Sequence, residues 1–264
     1  MTAVIRYSLI GLCGILGACE AEQEPRQAPP REIVSAAHCE QLSFEGSDFT
    51  ACRYDSRRHR IELVLDDPQG RLRSLARLED HLGVRRAQLL FAMNAGMYDE
   101  DGRPIGLYVE RGRRRHRINL ASGTGNFHLK PNGVFAVARD GTVSIRSSDQ
   151  FDGEPYWATQ SGPMLVINGD LHPAFQPDGE SLHVRNGVGV PDRHMAWFVI
   201  SEGPVSFGRF ARFFLDVLDC PNALYLDGGV SSLWDRGARR QDGYSSLGPM
   251  IAIFSRDADP VVTE

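Results

Sequence analysis

Val134-Phe-Ala-Val-Ala-Arg-Asp-Gly-Thr-Val-Ser-Ile145 has a strand–turn–strand pattern. Two short, β-branched and aromatic runs flank Asp140-Gly141, a pair that tolerates the positive φ of a tight turn, so the stretch predicts a β-hairpin. Met164-Leu-Val-Ile167 runs into Asn168-Gly169 and predicts a second such turn. Working outward, Ile61–Leu65, Gln88–Met93, Met195–Ile200, Leu224–Leu226 and Met250–Phe254 read as further strands. Leu72, Leu75, Leu78 and Leu82 fall at helical spacing and stop at Gly83; Phe210, Phe213, Phe214 and Val217 mark one face of a second helix. Hairpin-linked strands with a few packed helices predict a single α+β domain built on a mixed, largely antiparallel sheet.

The 264 residues suffice for one sizeable core, and neither a composition break nor an equal-length repeat divides them. A formal charge of −5 argues against nucleic acid as a partner. The run Arg111-Gly-Arg-Arg-Arg-His-Arg117 is the local exception. It reads either as the solvated face of a hairpin or as a contact for anionic polymer or lipid.

The N-terminus reads as a targeting segment over residues 1–18. Arg6 precedes the apolar stretch Ser8–Leu16, too short to span a bilayer, and Leu16-Gly17-Ala18-Cys19 resembles a lipobox, which makes Cys19 the expected lipidated residue. Residues 19–37, rich in Glu, Gln, Pro and Ala, read as a flexible tether. The folded domain is expected over 38–255, with a tail at 256–264. In an oxidising compartment Cys39 and Cys52 are expected to pair, which leaves Cys220 as a buried free thiol.

Six segments set a polar side chain against glycine at the end of an apolar run: Asn94-Ala-Gly96, Lys130-Pro-Asn-Gly133, Gln160-Ser-Gly162, Arg185-Asn-Gly187, Ser201-Glu-Gly203 and Asp227-Gly-Gly229. Lys130, the one lysine among 29 basic residues, lies in the second. Strand ends hold such residues still, and their convergence on one rim is the expectation. Asp227 and Glu202 follow buried-looking strands, and a carboxylate in that place is either a turn former or a site acid. Two of them beside several amides equip a site for glycosyl transfer to water. Arg185 and Lys130 add positive charge for a phosphate or carboxylate. The chain lacks a Gly-x-Ser-x-Gly elbow, a His-Glu-x-x-His pair, a P-loop and a dinucleotide fingerprint.

Asn94–Tyr98, Asn126-Phe-His-Leu-Lys-Pro-Asn-Gly-Val-Phe135, Thr159-Gln-Ser-Gly-Pro-Met164, Arg185–Gly189, Ser201–Pro204 and Leu226-Asp-Gly-Gly-Val-Ser-Ser232 resemble, in order over residues 38–255, the motifs of the bacterial phosphodiester glycosidase family. That family is related to the catalytic domain of the lysosomal uncovering enzyme, which removes N-acetylglucosamine from a sugar phosphodiester. The resemblance implies a hydrolase of a sugar-1-phosphodiester; with the N-terminal segment read as above, the protein is expected to be exported and membrane-anchored, to act on a cell-envelope or extracellular glycan, and to need no cofactor. Asp227 or Glu202 would activate water or attack the sugar. His128, Lys130 and Arg185 would hold the phosphate. Asn94, Asn132, Gln160, Ser161, Asn186, Ser231 and Ser232 would complete substrate binding. Two other classes stay open: a glycan-binding lipoprotein without catalysis, and a metal-dependent phosphodiesterase with Asp227 and Glu202 as hard-cation ligands.

Overall fold

A computed structural model of the chain describes residues 38–243 and 245–256. Cys19, the expected signal and tether, and the tail after Arg256 lie outside the described residues. Both predicted turns form. Gly141 takes φ 89° where Gly133–Val137 turns back to pair with Val143–Ser147. Asn168 and Gly169, at φ 50° and 91°, return Met164–Ile167 onto Asp170–Leu171. Cys39 and Cys52 face each other across the hairpin of Cys39–Phe44 and Ser47–Asp55 and form the expected disulfide.

Three sheets carry the domain, and every strand pairing among the described residues is antiparallel, so the sheets are more uniform than the mixed arrangement expected. The largest orders its seven strands as Cys39–Phe44, Ser47–Asp55, Met195–Ser201, Asn186–Asp192, Asn222–Tyr225, Met164–Ile167 and Asp170–Leu171. One five-stranded sheet runs Val143–Ser147, Gly133–Val137, Trp157–Ser161, Tyr108–Glu110, Arg113–His116. The other runs Arg240–Gln241, Leu233–Asp235, Leu89–Asn94, Met250–Ser255, His59–Val64.

One core joins the three. Phe198 of the seven-stranded sheet sits 5.8 Å from Phe91 and 5.6 Å from Phe135, one ring from each smaller sheet, and all three are buried. Burying each such ring contributes about 1.5–3 kcal/mol, and cutting one back to alanine costs about 3–5 kcal/mol. The helix Leu75–Leu82 begins where the Ser74 hydroxyl accepts the Arg77 N–H at 3.2 Å. Its leucines pack on Ala92, Ala252 and Phe254. The second helix, Phe207–Arg212, covers the outer face of the seven-stranded sheet, with Phe213 stacked on Phe49 at 4.1 Å. It widens into a π turn over Phe213–Val217. The longer period of that turn swings Val217 off the apolar face expected of it, and Val217 is 37% exposed. Cys220 is a buried free thiol, as expected, and burial pushes its pKa up.

The pairing register gives the strands two distinct ends. Asn94 lies opposite Met250, Asn186 opposite Ile200, and Ser161 opposite Gly133. These ends meet through Asp227 N–H to Ala95 C=O at 3.1 Å and Met164 N–H to Pro131 C=O at 2.9 Å. At the other ends, Ser255 faces His59, Asp55 faces Met195 and Val137 faces Trp157.

Candidate active site

Asn94 ends a strand whose six residues are all buried, and it ties three segments together. Its Oδ1 accepts the Ser232 N–H at 2.9 Å and the Asn186 Nδ2–H at 2.9 Å, while its Nδ2 donates to the Asp227 C=O at 2.7 Å. Asn186 Nδ2 also donates to the Asn94 C=O at 3.2 Å, and Asn186 Oδ1 accepts from the Ser231 hydroxyl at 3.2 Å. Ser232 Oγ donates to the Val230 C=O at 2.8 Å. Every polar atom of both amides has a partner, and these contacts tie Asp227, Ser231 and Ser232 to the strand ends.

Asp227 follows the strand Asn222–Tyr225 and is half-buried. Its carboxylate accepts the Gly229 N–H at 3.3 Å, a local turn contact, and no ion pair reaches it among the described residues. Burial pushes its pKa up, partly offset by that N–H. The phenols of Tyr98 and Tyr225 stand near enough to feel its charge; burial first, and then Asp227, raises their own pKa values. Gly228 is required here, because a Cβ at that position would come within 2.0 Å of the Tyr225 Oη.

Arg185 is 0% exposed. Its Nε donates to the Val205 C=O at 2.9 Å and its Nη2 to the Ser181 C=O at 2.7 Å. Its guanidinium carbon stands 3.5 Å from the Phe207 ring centroid and 5.5 Å from that of Tyr225. Burial draws its pKa down, yet a guanidinium remains charged. Nη1 has no partner, and no carboxylate pairs with the group among the described residues. A buried cation with an idle N–H is costly unless an anion completes it. The Ser161 hydroxyl is likewise buried and unpartnered.

A chain of rings links Arg185 to the Lys130 loop. Phe207 stacks on Phe175 at 5.0 Å, and Phe175 stacks on His172 at 4.6 Å. His172 Nδ1 accepts the Ala174 N–H at 3.2 Å, which leaves its Nε2 to donate to the Lys130 C=O at 3.1 Å. Lys130 is exposed and donates to Asn132 Oδ1 at 3.2 Å; partial desolvation lowers its pKa, opposed by Asp149. Asn132 holds the Phe127 C=O at 2.8 Å, and the His128 ring lies 3.0 Å from the Ala121 C=O, so both shape this loop.

Two candidates are already engaged by other residues. Gln160 is buried with its whole amide engaged. Oε1 accepts from Leu107 and Asn119, both at 2.9 Å; Nε2 donates to the Asn119 C=O at 2.7 Å and Ser148 Oγ at 2.9 Å. Strand alternation sends it away from the side where Thr159 Oγ1 receives the Gly96 N–H at 3.1 Å. Glu202 is exposed, and its Oε1 accepts from Thr50 Oγ1 and Arg240 Nη1, each at 2.5 Å. Arg240 also pairs with Asp242 at 2.9 Å. A hollow of 1010 Å³ lies beyond Arg240, lined by Glu79, Trp234, Arg236 and Arg239; neither Asp227 nor Arg185 lines it. Tyr98, His172, Phe175, Phe207 and Tyr225 lie outside the set expected from the sequence. Tyr98 and Tyr225 adjoin the polar–glycine segments, which is a usable signal. The other three look like ordinary core residues.

The chain's residues 87–250 match the family model for phosphodiester glycosidases. An uncharacterised Escherichia coli K12 protein, YigE, is 42% identical over 154 residues, which are 58% of this chain and 60% of that protein. The chain thus spans less than two thirds of that relative. Among solved structures, the catalytic domain of zebrafish N-acetylglucosamine-1-phosphodiester alpha-N-acetylglucosaminidase, auto-inhibited by its pro-peptide, superposes with a TM-score of 0.56 at 16% identity, covering 83% of this chain and 82% of that one. A putative exported protein from Burkholderia pseudomallei gives 0.53 at 11% identity, covering 79% and 74%. Both share the fold. With the family model spanning more than half of its length, the chain belongs to the phosphodiester glycosidase family.

Proposed function

We propose that this protein hydrolyses a glycosyl–phosphate bond in a sugar phosphodiester, with Asp227 as the base or nucleophile. The observation that carries the reading is a pair of charges at one rim unmatched among the described residues: the half-buried Asp227 carboxylate without a cation, and the buried Arg185 guanidinium without an anion. A phosphate leaves from the anomeric carbon without needing a strong general acid. One free carboxylate therefore suffices, which fits a Glu202 already held by Arg240. Arg185 Nη1, with Lys130 at the neighbouring loop, would bind the phosphate; Ser161, Ser231 and the loop of His128 and Asn132 would line the sugar side.

Release of phosphomonoester from a generic sugar-1-phosphodiester tests the reading. The wild type should turn over and Asp227→Asn should not. Arg185→Lys should impair the phosphodiester more than a neutral aryl glycoside. Retained binding with no hydrolysis by the wild type would leave a glycan-binding protein in its place.

We also assign the protein to the cell exterior or periplasm, anchored through lipidated Cys19. The Cys39–Cys52 bond supports an oxidising compartment. Metabolic fatty-acid labelling should disappear in Cys19→Ala; labelling that persists would overturn the anchor.

A further inference from the structure

The strand ends remote from Asp227 carry a second kind of surface. Two hollows of 220 and 410 Å³ adjoin there and share Arg139 and Tyr156. Arg111 and Arg256 line the first and Arg114 the second. Arg139 lies 4.6 Å over the Tyr156 ring and Arg111 6.0 Å over Trp157, so aromatic planes support the guanidinium groups from behind. The side chains of Arg114 and Arg139 have no hydrogen-bonded or ionic partner among the described residues, and both are exposed. The facing acids are Glu62, which already pairs with Arg85 and stands 3.9 Å from Arg111, and Glu154. This cationic concentration sits on a chain whose formal charge is −5.

The described chain also begins at this end. His38 accepts the Arg53 N–H at 2.8 Å, Cys39 is bonded to Cys52, and Tyr54 lines the first hollow. We propose that this arginine–aromatic end docks on an anionic lipid surface, with the phosphodiester headgroups seated in the two hollows. The inference rests on the proposed anchor at Cys19 for its choice of partner. Covalent geometry lets the 18 residues from Glu20 to Ala37 reach at most about 65 Å, so a domain anchored there would stay close to the bilayer. Docked in this way, the domain would turn the Asp227 rim away from its own membrane. Arginine is the cation that grips phosphate in a planar fork, and tyrosine and tryptophan favour the headgroup layer.

The test compares two full-length proteins that both carry Cys19→Ser, so that lipidation plays no part. One is otherwise native, and the other also carries Arg111→Glu, Arg114→Glu and Arg139→Glu. Each is sedimented with phosphatidylcholine vesicles, with and without phosphatidylglycerol. Each charge near an anionic leaflet is worth about fivefold in affinity. The first protein should prefer the anionic vesicles, lose that preference in high salt, and bind at least about tenfold more tightly than the triple variant. Unchanged thermal unfolding of the triple variant keeps the comparison clean; if it unfolds early, the Arg→Gln triple takes its place. Equal binding to both vesicle types, or equal binding by both proteins, overturns the proposal. So does displacement from the anionic vesicles by inorganic polyphosphate at equal phosphate concentration, which would make the partner a soluble polyanion. Failure of the fatty-acid labelling would remove the anchor and leave these vesicle measurements standing.

Discussion

The two ends of the strands both leave charge unmatched, in different solvents. At the rim, Arg185 is fully buried with an idle Nη1, and Asp227 is half-buried beside two phenols. At the opposite end, the Arg114 and Arg139 side chains are exposed and unpaired among the described residues. An unpaired charge out of water costs several kcal/mol, and one in water costs almost nothing. The rim therefore carries a desolvation cost, and a ligand that completed it would offset that cost. The other end can act through its field alone, over about a Debye length.

The hardest way to break this contrast is Asp227→Asn. It should lower turnover of a sugar phosphodiester by about 10²–10⁴-fold or more, because the amide keeps the shape and loses the charge. Stability should move the other way. A carboxyl whose folded pKa lies above its unfolded value costs stability once the pH exceeds that value, so the amide should keep or raise the melting temperature at neutral pH. A thermal melt that falls with activity would mean that Asp227 holds the fold together.

At the arginine end the linkage has the opposite sign. His59 is buried, its Nδ1 accepts the Asp55 N–H at 3.0 Å, and its pKa is pushed down to about 4, chiefly by burial and then by His38. The unfolded ring titrates near 6.5, so between those values the unfolded state binds the extra proton. Stability from this group is complete above about pH 6.5 and drains away towards pH 4, by roughly 3 kcal/mol. Denaturant melts of wild type and His59→Gln across that range should converge as the pH falls; a wild type indifferent to acid would contradict it. In the hairpin of Cys39–Phe44 and Ser47–Asp55, Cys39→Ser with Cys52→Ser should cost about 3 kcal/mol at any pH, read from the same melts.

Much of this layout is legible in the sequence where the cause is local. Asp140-Gly141 and Asn168-Gly169 name their own turns, and Leu72–Leu82 stops at Gly83. Asn94, Asn186 and Asp227 could be grouped because each sits at a strand end within two residues of glycine. What resists reading depends on distant partners. The three-sheet core needs Phe91, Phe135 and Phe198 to meet, and no local pattern pairs them. Gln160 shares the sequence context of the rim residues, but alternation along its strand points it at Asn119 and Ser148. Phe207 and Phe175 have the spacing of core residues, so the ring stack that supports Arg185 leaves no separate trace.

The finest comparison lies within the rim, between its two acids. Both follow apolar strands, and both precede glycine, but Glu202 already has what Asp227 lacks. Its Oε1 takes the Arg240 guanidinium and the Thr50 hydroxyl, and Arg240 is shared with Asp242, which anchors the Leu233 N–H at 3.0 Å. An acid so engaged is a poor base, since its lone pairs are directed and its charge is compensated. Glu202→Gln keeps an oxygen for Thr50 and removes the charge facing Arg240. An exposed pair of this kind is worth about 0–1 kcal/mol, so a small loss of stability is expected. Turnover should stay within about tenfold of wild type, at least an order of magnitude above Asp227→Asn. Side-by-side kinetics of the two amide variants check the ranking: a Glu202→Gln enzyme slower than Asp227→Asn would move the chemistry to the Arg240 corner and the hollow beyond it.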